Sequence, residues 1–214
     1  MFRNPSKLFV TSQDVTARIF KSNLLEFGTR VHWTTPLWIY LPACAYLLYT
    51  AFTLGASPLS MIALFAAGVF VWTFAEYTLH RFVFHFHPKS KWGKGVMWFL
   101  HGVHHDYPSD SLRLVMPPPI SLPLAALFYF IFITLMGEVY APAFMTGFLA
   151  GYLFYDITHY ALHHFPIKGN WFGKLREHHL RHHFKEPQDG FGVSSPLWDV
   201  VFRTELQPLK KQNA

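Results

Sequence analysis

Apolar and polar residues are sorted along this chain into long blocks rather than alternating. The first 30 residues are mixed and polar, and then no Asp, Glu, Lys or Arg occurs from Val31 to Ala75. A helix rises about 1.5 Å per residue, so about 20 apolar residues cross the roughly 30 Å of bilayer hydrocarbon. This block is long enough for two crossings, and the turn signal Leu54-Gly-Ala-Ser-Pro58 divides it into Leu37–Thr53 and Leu59–Thr78. A second apolar pair follows, Pro119–Met136 and Tyr140–Thr158, with a break at Gly137-Glu138. Such short connections predict an antiparallel hairpin for each pair. The expected fold is all-α and integral to a membrane, with four transmembrane helices in two hairpins. Residues 1–36 form an N-terminal cytosolic or interfacial segment, and 37–214 a single membrane domain capped by 80–118 and 159–214.

Composition supports a membrane chain. Hydrophobic residues make up 51% and charged residues only 14%, against about 25% charged in a typical soluble domain. An aromatic share of 19% excludes a disordered chain. No cleavable signal is apparent in Met1–Val10. The single cysteine, Cys44, excludes an intrachain disulfide and any Cys-rich metal site. A formal charge of +6 would suit nucleic acid, but all 18 Lys and Arg lie in Met1–Pro36, His80–Pro118 or beyond Thr158. The positive-inside rule therefore places both connectors outside and the termini and cap in the cytosol. Topology accounts for the basic residues, so no nucleic-acid partner is expected.

Histidine changes the picture. There are 14, and 13 of them fall in the two cytosolic segments. They follow one plan twice. His80 and His85 are followed, sixteen residues on, by His101-Gly-Val-His104-His105; His159 and His163 are followed, sixteen residues on, by His179-Leu-Arg-His182-His183. Positions i, i+3 and i+4 share a helix face, so each triplet is expected to aim its imidazoles at one point. His80 and His85 are five apart, about 140° around an ideal helix, which predicts that the helix ends or bulges between them. Ten imidazoles exceed the needs of one metal, and two metals is the natural count. His32, His87, His164 and His178 fall outside the repeat and are read as packing or interfacial residues.

Ligating histidines are neutral and hand their second N–H to an oriented acceptor. Glu76 and Asp156 sit one turn before His80 and His159. A carboxyl group at that depth is costly unless it is used, so both are expected to support the ligands from behind. Structural zinc sites favour four ligands and often cysteine, whereas imidazole with open positions suits iron and O2. The sequence lacks H-E-x-x-H, G-x-S-x-G, a P-loop and G-x-G-x-x-G, leaving protease, esterase, ATPase and dinucleotide-binding readings without support. Ionisable residues are absent from the middle of every predicted span, where an ion pathway would need them.

Several segments narrow the reading further. Glu76-Tyr-Thr-Leu-His-Arg-Phe-Val-Phe-His85, Ser111-Leu-Arg-Leu-Val-Met-Pro-Pro118, Gly151-Tyr-Leu-Phe-Tyr-Asp-Ile-Thr-His159 and Gly190-Phe-Gly-Val-Ser-Ser-Pro-Leu-Trp-Asp199, with both H-x-x-H-H triplets, closely resemble the fatty acid 2-hydroxylases. These belong to the sterol desaturase and fatty acid hydroxylase superfamily. The resemblance runs from about Trp72 to Thr204, nearly two thirds of the chain. It implies a membrane enzyme that inserts one oxygen atom from O2 at C2 of a fatty acyl chain, often in a sphingolipid such as ceramide. It also implies a dimetal centre on the ten repeated histidines, with iron in the active enzyme and zinc in purified protein.

Many relatives carry a fused cytochrome b5 domain with a His-Pro-Gly-Gly motif, which does not occur here. Electrons are therefore expected from a separate donor, such as cytochrome b5 or a ferredoxin. The membrane would be the endoplasmic reticulum in a eukaryote and the inner membrane in a bacterium. Arg113, Lys168 and Arg181 are cationic candidates for headgroup or redox-partner contact, and each reads first as a solvated or interfacial charge. The enzymatic alternative is a desaturase, or a hydroxylase of a sterol or carotenoid. Outside enzymes, the alternatives are a metal transporter or a structural zinc protein.

Overall fold

A computed structural model describes residues 8–207. The first and last seven residues, including the ends of the expected N-terminal segment and of the cap, lie outside the described residues. Every regular element within them is helical. Short α1 (Asn23–Phe27) precedes α2 (Thr35–Thr53) and α3 (Pro58–Thr78). The cap elements α4 (Lys91–Met97) and α5 (Val103–Asp106) lead to the long α6 (Pro118–His164), followed by α7 (Trp171–Phe184) and α8 (Leu197–Phe202).

Local chemistry sets the boundaries. Gly55 takes the turn between α2 and α3 with a φ of 90°, a region that a Cβ disfavours. The Ser57 hydroxyl then caps α3 by accepting from the Ser60 N–H at 3.2 Å, and Pro58 stands at the first position, where its missing donor costs nothing. Gly137 breaks α6 with a φ of 77° and a ψ of 172°. Phe128 and Phe148, twenty positions apart, touch across that break with ring centroids at 4.8 Å. In a straight helix they would be about 30 Å apart, so the chain reverses at Gly137. The segments beyond Pro58 and Pro118, 27 and 47 residues long, are apolar and long enough to cross a membrane.

The second limb of α6 is the centre of the molecule. Ala141 through Leu149 are buried without a gap. Outward, Trp38, Leu59, Phe130 and Leu135 are more than two thirds exposed, as suits side chains that face hydrocarbon. Glycines bring α3 against this limb. A Cβ at Gly68 would fall on the Phe144 carbonyl oxygen, and one at Gly147 on that of Phe65. Gly151 gives the same room to the Trp72 indole. Small residues let helices approach in this way where lipid removes the hydrophobic drive for association. Gly147→Ala is expected to force the helices apart and to destabilise the fold by at least the roughly 1–3 kcal/mol of ordinary overpacking. Thermal unfolding in detergent measures it, and an unchanged midpoint would contradict this packing.

Candidate metal centre

The helices deliver their histidines through an irregularity anticipated between His80 and His85. The end of α3 widens into a π-helical turn over Leu79–Phe84, and the His85 N–H reaches the His80 carbonyl, five residues back, at 3.1 Å. The wider turn swings both imidazoles to one side. A second π turn, Trp98–Gly102, carries His101. Such bulges occur frequently at functional sites.

All ten repeated histidines converge, in two groups of five. His80, His85, His101, His105 and His182 form one; His104, His159, His163, His179 and His183 form the other. Within each group the facing nitrogens lie within 4.8 Å of one another. The groups touch where His105 stacks on His183 at a centroid distance of 4.2 Å.

The expectation for the triplets needs correction. Neither triplet aims at one point: His101 and His105 join the first group while His104 enters the second, and His179 and His183 join the second while His182 enters the first. At about 100° per residue, i and i+4 diverge by about 40°, but i+3 points about 100° away from i+4. Each triplet helix therefore serves two sites, and each half of the repeat lends one imidazole to the other.

The nitrogen separations test whether a metal fits. Nε2 atoms face one another at 3.1 Å for His80–His101, 3.0 Å for His101–His105 and 3.1 Å for His85–His182. In the second group they stand at 3.0 Å for both His104–His159 and His104–His183, and 2.9 Å for His163–His179. With metal–nitrogen bonds of about 2.0–2.1 Å, ligands at right angles are about 2.9 Å apart and tetrahedral ones about 3.4 Å. The close pairs match the spacing of adjacent ligands on one ion, so each group fits a metal. Burial holds His101, His104, His105, His179 and His183 well below their ordinary value, helped by neighbouring histidines. Burial also pushes His85 down to about 3 and His182 to about 4. The rings stay neutral, with the lone pairs that a metal needs.

Behind the first group, the acceptors are backbone carbonyls. His80 Nδ1–H donates to the Phe191 carbonyl at 2.5 Å and His182 Nδ1–H to that of Asp189 at 2.7 Å. Glu76 reaches the histidines through this loop rather than directly. Its carboxyl accepts from the N–H groups of Val193 and Ser194 at 2.7 and 2.8 Å, and from the Ser194 hydroxyl. Asp156 accepts from the Met116 N–H at 3.4 Å in the corresponding loop of the other half. Glu76→Ala is expected to cost about 1–3 kcal/mol for each buried N–H left without an acceptor. Metal content falls with it; a variant of native stability and full metal content would refute this role.

Asp199 escaped the sequence reading although it is fully buried. It accepts from the Phe191 and Gly192 N–H groups at 2.9 and 2.8 Å and from the Thr204 hydroxyl at 2.8 Å. His178 Nε2 bonds Oδ2, the oxygen that also accepts from Gly192, at 3.2 Å, which gives this histidine a structural part. The signal was present in Gly190-Phe-Gly192 followed by an acid, but its partners are visible only in three dimensions. His164 stacks on Tyr160, while His32 and His87 are exposed. Lys168 is exposed and Arg181 pairs with Glu186 at 2.6 Å. Arg113 departs from its expected solvated place and is buried.

A cavity of about 70 Å³ opens beside both groups, at His101, His104 and His159. Phe84, Phe99, Leu100 and Ile120 give it an apolar wall, and Arg113 and Asp156 give it polar ones.

Two adjoining clusters of neutral imidazoles at the end of long apolar helices define a membrane protein of the histidine-rich, metal-dependent kind. The fatty acid hydroxylase family pattern matches residues 65–204, and the chain belongs to that family. It is 41% identical over 192 residues to the dihydroceramide fatty acyl 2-hydroxylase FAH1 of Arabidopsis thaliana, covering 87% of this chain and 79% of that protein. It is 38% identical over 215 residues to the human fatty acid 2-hydroxylase, covering 90% of this chain and 57% of that one. A solved structure of full-length scs7p, with only its hydroxylase domain visible, superposes with a TM-score of 0.83 at 41% identity, covering 88% of this chain and 72% of that one.

Proposed function

We propose that the chain is a membrane-bound, O2-dependent monooxygenase that hydroxylates C2 of a fatty acyl chain carried by a ceramide-like or related lipid. The observation that carries the reading is the convergence of five neutral imidazoles on each of two points beside an apolar cavity. Similarity to relatives named as dihydroceramide and fatty acid 2-hydroxylases supports the position of attack. In this reading each histidine group holds one metal ion, iron in the working enzyme, with the ten repeated histidines as ligands. Iron supplies the reductive activation of O2.

The protein's own part is to hold and orient. The carbonyls of Phe191 and Asp189 fix His80 and His182 with Nε2 inward, and the Glu76 and Asp199 carboxyls fix the loop that bears them. The Phe191 ring packs edge-on against His80, His85 and His182 at 5.8, 5.4 and 5.5 Å, an apolar neighbour to that group. The apolar cavity wall takes acyl methylenes. At about 70 Å³ the cavity is smaller than the roughly 300–1,000 Å³ of a ligand pocket, so a long chain enters by displacing side chains of that wall.

The topology that suits this chemistry has four spans in two hairpins, formed by α2, α3 and the limbs of α6. The cap and both termini lie in the cytosol, where a separate electron donor such as cytochrome b5 or a ferredoxin has access. Residues 1–36 form a cytosolic or interfacial segment and 37–214 the hydroxylase domain, in the endoplasmic reticulum of a eukaryote or the inner membrane of a bacterium. Mass spectrometry of total lipids from cells expressing wild type or His105→Ala at matched levels tests the reading. A one-oxygen gain at acyl C2 that only the wild type produces is expected. Loss of two hydrogens, or oxygen at another carbon, would assign a different branch of the same chemistry.

A further inference from the structure

Arg113 is almost fully buried, with its side chain 4% exposed, and its donors can be counted. A guanidinium has five N–H groups. The two on Nη1 face the Ala17 carbonyl and the Asp110 carboxylate, the latter at 3.3 Å. The two on Nη2 face Glu26 at 2.7 Å and the Thr29 hydroxyl at 3.5 Å. The fifth, on Nε, is buried and has no partner among the described residues. Buried donors are almost always satisfied, by protein, water or ligand. This residue lines the cavity that touches His101, His104 and His159.

The charge around Arg113 is already balanced. Arg113 and Arg30 face Glu26 and Asp110, two cations against two carboxylates. Within this network the charges cancel, so Arg113 has a donor to spare rather than a charge to neutralise. What remains is a single N–H suited to an acyl carbonyl oxygen.

We propose that Arg113 is a positioning residue whose Nε–H receives the carbonyl oxygen of the acyl substrate and thereby sets C2 against the histidine groups. C2 is bonded to the carbonyl carbon, so a fixed carbonyl fixes which methylene lies nearest the reacting centre. The proposal rests on the acyl hydroxylase reading and refines it. It also gives the N-terminal segment a purpose: Ala17, Glu26 and Thr29 occupy three of the other four guanidinium donors and Asp110 faces the fourth.

The test compares purified wild type, Arg113→Lys and Glu26→Gln on an N-acyl sphingoid base and on the free acid of equal length. Lysine keeps the charge facing Glu26 and Asp110 and loses the Nε donor, while Glu26→Gln loosens the same network and keeps that donor. Arg113→Lys is expected to lower kcat/KM for the amide about 10- to 100-fold, the range for a hydrogen bond to a charged group. It should release hydroxylation onto C3 as well as C2. Glu26→Gln should keep C2 as the position of attack. Metal content and thermal midpoint establish that each variant is folded. A folded Arg113→Lys with wild-type regiochemistry and kcat/KM would overturn the proposal, as would a shift of position in Glu26→Gln equal to that in Arg113→Lys. Absence of any 2-hydroxylated product from wild type would instead refute the underlying acyl hydroxylase reading.

Discussion

Replacing His182 with alanine is expected to abolish turnover and to empty the metal site of the opposite half of the repeat. His182 lies on α7 beside His179 and His183, yet it groups with His80, His85, His101 and His105. Its Nε2 stands 3.1 Å from that of His85. Its Nδ1 is tied to the Asp189 carbonyl, which holds Nε2 toward that group. The loss should exceed the roughly 10- to 100-fold that follows from disturbing groups behind a ligand. Metal analysis should find about one ion per chain in place of two. His104→Ala is the mirror experiment, sparing the first group and depleting the second. If either variant kept both metals and wild-type turnover, the exchange of histidines between halves would be wrong.

Metal exchange should separate stability from activity. Chelation of the purified protein is expected to stop hydroxylation and lower the thermal midpoint, because an ion bound only by the folded state stabilises it by mass action. Zinc should restore the midpoint without turnover, since it has no accessible redox change. Ferrous iron with a reductant and O2 should restore both. The physical basis is the ligand set: ten neutral imidazoles with no carboxylate or thiolate in either group. Such donors bind either ion, and only the chemistry of the ion distinguishes the outcomes. Turnover by the zinc-loaded protein, or activity that survives chelation, would contradict the iron reading.

Much of this was legible before any coordinates. The charge-free block and its turn at Gly55 marked α2 and α3, and the break at Gly137 marked the reversal in α6, because backbone at a glycine with positive φ leaves a local signature. The five-residue spacing of His80 and His85 required an irregular turn, and a π-helical one is present. The repeated histidines were recognisable as a set, since one type of ligand at two matched spacings is a pattern in one dimension. Glu76 was recognisable as important but not in its action, because its partners Val193 and Ser194 are more than a hundred residues away. Arg113 misled for a similar reason. A lone arginine before a span reads as solvated until Glu26 and Asp110 are seen around it.

By itself, then, the sequence determined the helices, their apolar character and the set of ten repeated histidines, all of which follow from spacing along one chain. Which histidine joins which group was decided only by the tertiary structure. A helix face spans an arc rather than a line, and the position of the opposing helix selects whether i+3 turns to one site or its neighbour. The same holds for the loops at Met116 and Phe191, whose backbone groups carry no side-chain signal and become part of the centre only when buried carboxyl groups hold them there.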